Sequence, residues 1–435
     1  MRVWSLGSLF LVVGACTRQA VTTTAPADAG AAPSSGDASA VALVDAAADA
    51  GITIGEAGGV VTGDGARVTI PEGSVRTPHA YSIVKATDLA QWPRGTLHGF
   101  VFEPAGKRFR VPATIELSHG GGEHGEVMCT PYNGERQIVP FDATPADKPI
   151  RFHVVELPRR CAVYAPEHAK ALRRARESEA AIVDAHNKQF RWELKGTVCD
   201  PHTLVRSNAG KDLREPPGLG GCPNGMAAVP GRKGLCVDRW EAHVVEVLED
   251  GTEHTWSPYF NPGKLHIRAR SAPGAVPQGY ISAVQGEAAC KDAGKRLCKD
   301  DEWIAACKGA KHTQFPYGAT EKRGTCNDHR ASHPAAQYLE AQDLSVFTKL
   351  EHPCISQVPD SLLPTGTKKE CATSEGVFDI VGNLHEWTAD PEGTFRGGYY
   401  VDTWLNGHGC DYATTRHVAS YWDYSTGFRC CADAK

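Results

Sequence analysis

The sequence predicts an α+β protein in which an all-β segment precedes a loop-rich C-terminal domain with two short helices. Alternating apolar and polar residues, broken by glycine and proline, run through residues 51–165. In the second half, two short stretches with helical character, around residues 288–289 and 300–306, interrupt a sequence dominated by turns. Fifteen cysteines supply the disulfides that a fold made largely of loops needs.

The first residues have the organisation of a bacterial lipoprotein signal. A positive N-terminus precedes the apolar run 6–13, which is too short to span a bilayer. The run ends in Val13-Gly14-Ala15-Cys16, which resembles a lipobox. We therefore predict a signal peptide over residues 1–15, lipidation of Cys16 and export to the outer membrane, with membrane contact through the lipid anchor only. A plain secretory signal with a chance cysteine is the alternative.

Residues 16–50 are rich in alanine and contain no aromatic residue, so we predict a disordered tether. The formal net charge of the whole chain is −5, and the basic residues are scattered. This charge pattern gives no indication of nucleic-acid binding.

Fourteen cysteines remain besides Cys16, and an even number in an exported chain predicts disulfides. Only Cys430 and Cys431 are close in sequence and no CxxC motif occurs, so the paired cysteines typical of a structural zinc site are absent from the sequence. Cys129 and Cys161 are the only cysteines in the all-β segment, and we predict that they pair.

The segment 51–165 resembles a ZU5-like β-domain of secreted bacterial proteins. The resemblance rests on Gly58-Gly59-Val60-Val61, on residues 66–73 and on the turn at Phe102-Glu103-Pro104. It implies a β-sandwich that acts as an interaction or spacer module, since no catalytic constellation occurs there. Residues 167–195, rich in Ala, Glu, Arg and Lys, are predicted to form a linker helix, with coiled-coil association as an alternative.

Residues 221–435 contain a series of short motifs in a fixed order. The motifs are Gly234-Leu235-Cys236-Val237-Asp238-Arg239-Trp240-Glu241, Gly294-Lys295-Arg296-Leu297-Cys298, Asp301-Glu302-Trp303, Phe315-Pro316-Tyr317-Gly318, Gly382-Asn383-Leu384-His385-Glu386-Trp387, Arg396-Gly397-Gly398 and Gly427-Phe428-Arg429-Cys430. Their order and spacing resemble the formylglycine-generating-enzyme (sulfatase-modifying factor) family. The resemblance implies a variant of the C-type-lectin-like fold, with two short helices, sparse sheet and long ordered loops.

The resemblance also implies two disulfides. One joins the first helix to the strand near the C-terminus, which here gives Cys290–Cys430. The other joins the second helix to the loop after Arg396-Gly397-Gly398, which here gives Cys307–Cys410.

A structural calcium site is the next implication of the resemblance. Asp379, Gly382, Leu384 and Glu386 match the family's calcium loop, and carboxylate and carbonyl oxygens are the ligands that calcium prefers. Asn327 matches a ligand of a second family site, whose partner carboxylate is not found in this sequence. The alternative for Asp379 and Glu386 is a capped turn held by a salt bridge.

The sequence departs from the family at the catalytic positions. The family's oxidases convert a peptidyl cysteine to formylglycine with O2 and two thiolates that bind Cu(I), a soft ion that selects sulfur. The matching positions here are Asp402 and Gly407, so we expect neither these catalytic residues nor copper. His408 and His417 lie nearby, but two isolated loop histidines are more typical of surface or core residues than of an iron site.

Three hypotheses remain open. The C-terminal domain is a binding or structural module whose loop over residues 402–410 faces an envelope protein or a glycan; it is an enzyme with altered chemistry at this loop; or it is a formylglycine-generating oxidase with rearranged cysteines. The replaced thiols favour the first.

Overall fold

The computed structural model describes residues 51–90, 92–119, 126–130, 147–168, 204, 206–330, 333–339 and 347–434. The predicted signal peptide, Cys16 and the tether 16–50 lie outside the described residues, and so does nearly all of the predicted linker helix. Residues Asp49–Lys435 group into one compact unit. Among the helices described, none combines the length and the apolar character that crossing a bilayer requires.

The N-terminal part of the described chain is a β region of two sheets, ordered β1-β4-β5-β9-β7 and β2-β3-β6-β8. All of the pairings between these strands are antiparallel. The strands are β1 (Ile52–Ile54), β2 (Gly59–Gly63), β3 (Ala66–Ile70), β4 (His79–Lys85), β5 (Thr96–Glu103), β6 (Arg108–Leu117), β7 (Val127–Thr130), β8 (Ile150–Glu156) and β9 (Arg160–Tyr164).

Strand β6 shows how the sequence pattern builds this region. Side chains alternate across a strand, so Arg108 and Arg110 are exposed while Phe109 between them is buried. Further along, Ile115 of β6 joins Phe100 of β5 in one apolar cluster to which both sheets contribute. Burial of these side chains is the main stabilising contribution to the β region.

The C-terminal part combines short strands with three described helices. The strands are β10 (Met226–Ala228), β11 (Leu235–Asp238), β12 (His243–Val247), β13 (Glu253–Thr255), β14 (Ile267–Arg270), β15 (Arg296–Leu297), β16 (His385–Trp387), β17 (Phe395–Arg396), β18 (Ala413–Thr414), β19 (Thr426–Phe428) and β20 (Cys430–Asp433). The helices are α1 (Ala283–Asp292), α2 (Asp300–Lys308) and α3 (Pro334–Leu339). The described chain is therefore mostly β with few helices.

Three small sheets connect distant parts of this half, with strand orders β10-β11-β20-β15, β13-β12-β14 and β18-β17-β16-β19. The third sheet contains a parallel pair, β16 with β19, and places three of the sequence motifs side by side. Glu386 lies on β16, Arg396 ends β17, and Arg429 directly follows β19.

The two predicted helices begin and end as their sequences indicate. Ser282 caps α1, accepting a hydrogen bond from the Gln285 amide, while the Gln285 side chain accepts from the Ser282 amide. Helix α2 starts with three acidic residues, which favour a helix N-terminus, and ends at Gly309 with φ of 57°. Helix α3 was not predicted, because its six residues show no clear amphipathic period.

Disulfides connect the loops of both parts. The described pairs are Cys129–Cys161, Cys222–Cys236, Cys290–Cys430, Cys298–Cys431, Cys307–Cys410 and Cys326–Cys371. The three predicted pairs are among them. This disulfide content indicates an oxidising compartment.

A buried charged contact joins the β region to the C-terminal part. Glu246 of β12 accepts hydrogen bonds from His153 of β8 (2.8 Å) and lies 2.6 Å from Arg151 Nη1. Glu246 and His153 are both buried, so the contact belongs to the interior of the unit.

Candidate functional site

The loop that follows Arg396 is anchored to helix α2. The Arg396 guanidinium donates to both carboxylate oxygens of Asp300, from Nε at 2.6 Å and from Nη2 at 2.5 Å. Gly397 and Gly398 then turn the chain with positive φ angles of 82° and 69°. A Cβ at Gly398 would lie 2.3 Å from the Asp402 carbonyl oxygen, so the close return of the chain requires glycine.

Asp402 is the residue that the sequence analysis matched to the first catalytic thiol of the family. Its buried side chain organises this loop through hydrogen bonds. The side chain is 6% exposed. Its Oδ1 accepts hydrogen bonds from the amides of Trp404 and Leu405, both at 2.9 Å, and its Oδ2 accepts one from the Tyr412 hydroxyl at 2.9 Å. All of these contacts stabilise the loop, and they occupy both carboxylate oxygens.

Gly407 is the residue that the sequence analysis matched to the second catalytic thiol. Its backbone conformation and the close approach of the chain both favour glycine at this position. Its φ is 113°, and a Cβ there would lie 2.6 Å from the Asp411 carbonyl oxygen. The nearby Cys410 is bonded to Cys307. Every cysteine in the described part of the chain is in a disulfide, so this part offers no free thiolate.

An aromatic wall lies beside the loop and surrounds His385. The His385 ring lies 4.6 Å from the Phe395 ring, 4.8 Å from Tyr399 and 5.5 Å from Tyr412, measured between centroids. Burial, with a smaller effect from the nearby His417, lowers the pKa of His385 to about 3, so the imidazole is neutral. Its Nδ1 has no hydrogen-bond partner among the described residues.

The two loop histidines noted in the sequence do not converge on a metal. His417 packs between Phe395 and Tyr421, with centroid distances of 4.9 Å and 4.6 Å. His408 precedes the short 3-10 turn Gly409–Asp411. Across the described ranges, no group of three His, Cys, Asp or Glu side chains is arranged to hold a metal ion.

The tip of the loop presents apolar side chains to solvent. Trp404 is 50% exposed and Leu405 is 66% exposed. Because Asp402 binds the amides of both residues, the backbone that carries these side chains is fixed. A fixed loop with exposed apolar side chains is suited to contact with another molecule.

A second buried cluster surrounds the predicted calcium loop, where Arg429 and Glu386 form a fully buried ion pair. Arg429 donates from Nε to Glu386 Oε2 and from Nη2 to Glu386 Oε1, both at 2.6 Å. The Trp303 indole donates to Glu386 Oε2 at 2.6 Å. Both oxygens of Glu386 are therefore engaged by protein donors, as the salt-bridge alternative describes.

The remaining predicted residues lie around this ion pair. Asp379 Oδ2 accepts from the Gly366 amide at 2.6 Å. Gly382 has a φ of 81°, and a Cβ there would lie 2.4 Å from the Asn327 carbonyl oxygen. The Asn327 side chain donates to Asn383 Oδ1 at 2.9 Å. The structure thus brings Asn327 against the calcium loop.

Glu241 belongs to this cluster, although the sequence analysis did not single it out as a site residue. It is completely buried, and it accepts hydrogen bonds from the Leu384 amide (3.0 Å) and from the Asn383 side chain (2.5 Å). The available signal was an acidic residue between Trp240 and Ala242, in the short connection from β11 to β12. Its partners lie more than 140 positions away in sequence, so local patterns do not reveal them.

The cluster contains more acidic than basic side chains: Glu241, Asp379 and Glu386 against Arg429. Burial, together with the neighbouring Glu386 and Asp379 carboxylates, raises the pKa of Glu241 well above its usual range. Burial raises the pKa of Asp379 to about 7, although the Gly366 amide and Arg429 oppose the shift. A bound cation would relieve this surplus. Asp379 therefore fits a calcium site in its chemistry, whereas Glu386 in this geometry is committed to Arg429 and Trp303.

The comparisons with known proteins concern the same half of the chain. A family model described as "Sulfatase-modifying factor enzyme 1-like domain" matches residues 250–434. Among curated proteins there is no match.

Solved structures give distant similarities. The Major Tropism Determinant U1 Variant is 14% identical with a TM-score of 0.28, over 49% of this chain and 53% of that chain. The M1 Variant of the same protein is 12% identical with a TM-score of 0.25, over 74% of this chain and 81% of that chain. This chain thus spans about half the length of the first of these structures.

The family match covers the helices α1 and α2, the Arg396-Gly397-Gly398 turn and the Glu386–Arg429 ion pair, whereas Glu241 of the second cluster lies before it. The match begins inside the predicted range 221–435. Over residues 250–434, the chain is similar to the sulfatase-modifying factor enzyme 1-like family.

Proposed function

We propose that the C-terminal domain is a binding or structural module that keeps the architecture of its family without the copper-dependent oxidation. The observation that carries this proposal is the pair Asp402 and Gly407. The Asp402 carboxylate accepts hydrogen bonds from two amides and a tyrosine hydroxyl. Gly407 has a backbone conformation that is unfavourable for cysteine. Neither residue supplies a sulfur ligand for Cu(I).

The disulfides support the same proposal. An oxidase with rearranged cysteines needs two thiolates beside the loop, and Cys410 is joined to Cys307. Cys430 and Cys431 are joined to Cys290 and Cys298. Recruiting any of these sulfurs would require reduction of a bridge that connects two elements of the fold.

The surface that contacts a partner is proposed to be the loop over residues 402–410, with Trp404 and Leu405 at its tip. Its partner is an envelope protein or a glycan. Aromatic and aliphatic side chains on a fixed backbone lose little entropy on binding, which favours this use of the loop.

The experiment that tests the proposal is an oxidation assay. Purified protein loaded with copper is incubated under oxygen with a peptide of the CxPxR type, and the peptide is analysed by mass spectrometry. We expect no formylglycine product, while an active member of the family, run in parallel, converts the peptide.

Turnover by this protein that disappears in Cys410→Ser would identify it as a rearranged oxidase and refute the proposal. A matched control is Cys222→Ser, because the Cys222–Cys236 bridge joins the segment before β10 to β11 and includes neither Cys307 nor Cys410.

We further propose that the ZU5-like domain (51–165), the linker helix (167–195) and the C-type-lectin-like domain (221–435) follow a lipid anchor at Cys16. The Val13-Gly14-Ala15-Cys16 motif and the disulfide content support export and anchoring. In Cys16→Ser we expect loss of labelling by a radioactive fatty acid and accumulation of the uncleaved precursor. Continued labelling of the variant would refute the lipid anchor.

Calcium is proposed as a structural ion of the C-terminal domain. Asp379, with the carbonyl groups of Gly382 and Leu384, would hold it, and the ion would neutralise the surplus of buried carboxylates.

A further inference from the structure

We propose that the cleft between the β region and the C-terminal domain binds an anionic oligosaccharide. Two adjoining cavities of about 300 Å³ and 330 Å³ form the cleft, and they share Arg108, Arg110 and Glu351 in their linings. No residue of the loop 402–410 lines either cavity. This site is therefore independent of the function proposed for that loop.

The cleft is lined by an excess of positive charge. Five basic side chains line the two cavities, against the single carboxylate of Glu351; they are Arg76, Lys107, Arg108, Arg110 and Lys349. Glu351 lies 3.6 Å from Arg110, and Glu156 accepts a hydrogen bond from Arg108 at 3.4 Å. Among the described residues, two neighbouring carboxylates stand against these five cations, and this excess of positive charge favours a ligand with several negative groups.

The chemistry of these cations favours oxygen acids. The planar guanidinium of arginine donates paired hydrogen bonds that match a carboxylate, sulfate or phosphate. The arginines of the cleft come from two chain segments: Arg108 and Arg110 from β6, and Arg76 from the turn before β4. Acidic groups spaced along a ligand can therefore contact several of them at once.

Apolar and aromatic groups form the other side of the cleft. Trp422 is half-buried, packs against the hydrophobic core and lines the first cavity together with Phe260 and His352. Large aromatic side chains beside charged donors suit a ligand that combines polar substituents with apolar C–H faces, as sugar rings do. We therefore favour a sugar over an acidic peptide.

The walls of the cleft are fixed before a ligand binds. Ser74 Oγ donates to the Val111 carbonyl at 2.9 Å, and the Arg110 amide donates to the Ser74 carbonyl at 2.9 Å, which attaches the Arg76 segment to β6. On the opposite wall, Asn261 is 3% exposed and donates to the Tyr280 carbonyl at 2.7 Å. Pre-organised walls reduce the entropic cost of binding.

Calorimetric titration of the full chain with four probes tests the proposal. The probes are trigalacturonate, a sulfated trisaccharide, neutral maltotriose and triglutamate. We expect both anionic sugars to bind with an affinity that falls as salt is added, and maltotriose to give no measurable heat. Triglutamate is expected to bind at least tenfold more weakly than the anionic sugars. If triglutamate binds with the same affinity as trigalacturonate, the assignment of the ligand as a sugar is wrong. If neither anionic sugar binds, the cleft is not a binding site for such ligands.

Variants locate the binding. Arg76→Gln combined with Arg110→Gln should raise the Kd for trigalacturonate about tenfold or more, because two cations that can contact carboxylates are removed. Trp422→Leu should weaken the binding of the anionic sugars more than the binding of triglutamate. The matched control, Arg214→Gln with Arg232→Gln, removes two arginines that line neither cavity and should leave the Kd unchanged.

If the cleft variant and the control variant weaken trigalacturonate binding equally, the sugar is attracted by the overall charge and not by a specific site. This result would refute the proposal. Melting curves verify that each variant is folded. If Arg110→Gln disturbs the fold, Arg76→Gln with Lys349→Gln is used instead, and an unchanged Kd in that pair would also refute the proposal.

Discussion

Asp402 is a buried acidic side chain that organises its loop through three hydrogen bonds. In the sequence it is an acidic residue within a loop, where a solvated surface position is the usual expectation. Its burial arises because the Gly397-Gly398 turn brings the chain back on itself and because Tyr412 approaches from ten residues further on. The sequence motif predicted the loss of the thiol, whereas the partners of the carboxylate became evident only in three dimensions.

The first prediction concerns this residue. Asp402→Ala should reduce the free energy of unfolding by about 2 kcal/mol, because two amides and the buried Tyr412 hydroxyl lose a charged acceptor. Urea denaturation measures the change. Asp88→Ala is the control, since Asp88 accepts one exposed turn hydrogen bond from the Ala90 amide, and it should change stability less. Equal losses in both variants would mean that Asp402 does not organise the loop.

The second prediction concerns the pH dependence caused by Asp379. Its pKa of about 7 in the folded protein exceeds the value of about 3.9 in an unfolded chain. The folded protein thus binds this proton more tightly, so the associated stability is complete below about pH 4 and is lost as pH rises through about 7. In the presence of a chelator, Asp379→Asn should flatten this part of the stability profile. If the variant and the wild type have the same pH dependence of stability, a group other than Asp379 causes it.

Calcium provides the third prediction, at the same residue. The ion binds the ionised carboxylate, so at pH 8 a hundredfold excess over its Kd should stabilise the wild-type protein by about 2.7 kcal/mol. Asp379→Asn should abolish the increase in melting temperature that calcium produces. Magnesium at the same concentration serves as the control ion. A calcium response of the same size in wild type and variant would remove the proposed site from this loop.

At the scale of elements, the sequence predicted the short helices well and the disulfide network in part. Helix α2 was visible because acidic residues open it and Gly309 ends it. Cys430 and Cys431 occupy opposite faces of β20, as strand geometry requires, and bond to Cys290 and Cys298. The pairing Cys298–Cys431 could not be derived from sequence, because it depends on β15 lying beside β20.

The fourth prediction concerns the bridge between α2 and the loop. Cys307→Ser with Cys410→Ser should destabilise the protein by about 3–5 kcal/mol, since the bridge closes a segment of 103 residues. Cys222→Ser with Cys236→Ser, which opens a segment of 14 residues, should cost less. Chemical denaturation of both pairs measures the difference. A larger loss in the second pair would contradict the assignment of Cys307–Cys410 as the main constraint on the loop.

At the scale of the whole molecule, the Glu246 contact joins the β region to the C-terminal part. Burial by itself raises the pKa of Glu246, but His153 and Arg151 outweigh it and lower the pKa to about 2. Sequence analysis could not foresee this contact, since the residues belong to strands nearly a hundred positions apart and each is common on protein surfaces.

The fifth prediction tests the contact of Glu246 with His153 and Arg151. Glu246→Gln should lower the free energy of unfolding by about 3 kcal/mol, because His153 and Arg151 lose their buried carboxylate. The effect should diminish as pH falls through about 2, where the wild-type carboxylate is itself protonated. Asp250→Asn is the control: Asp250 pairs with Lys148 between the same two parts, but in solvent, and the change should be small.

Strand β20 has a consequence for the order of events during synthesis. Its residues 430–433 pair with β11, which is made almost two hundred residues earlier, and with β15. Until β20 has been synthesised, both strands lack this neighbour, and Cys290 and Cys298 lack their disulfide partners. The C-terminal domain therefore completes its fold only after β20 has been synthesised, and the thiols of Cys290 and Cys298 are exposed to premature oxidation until then.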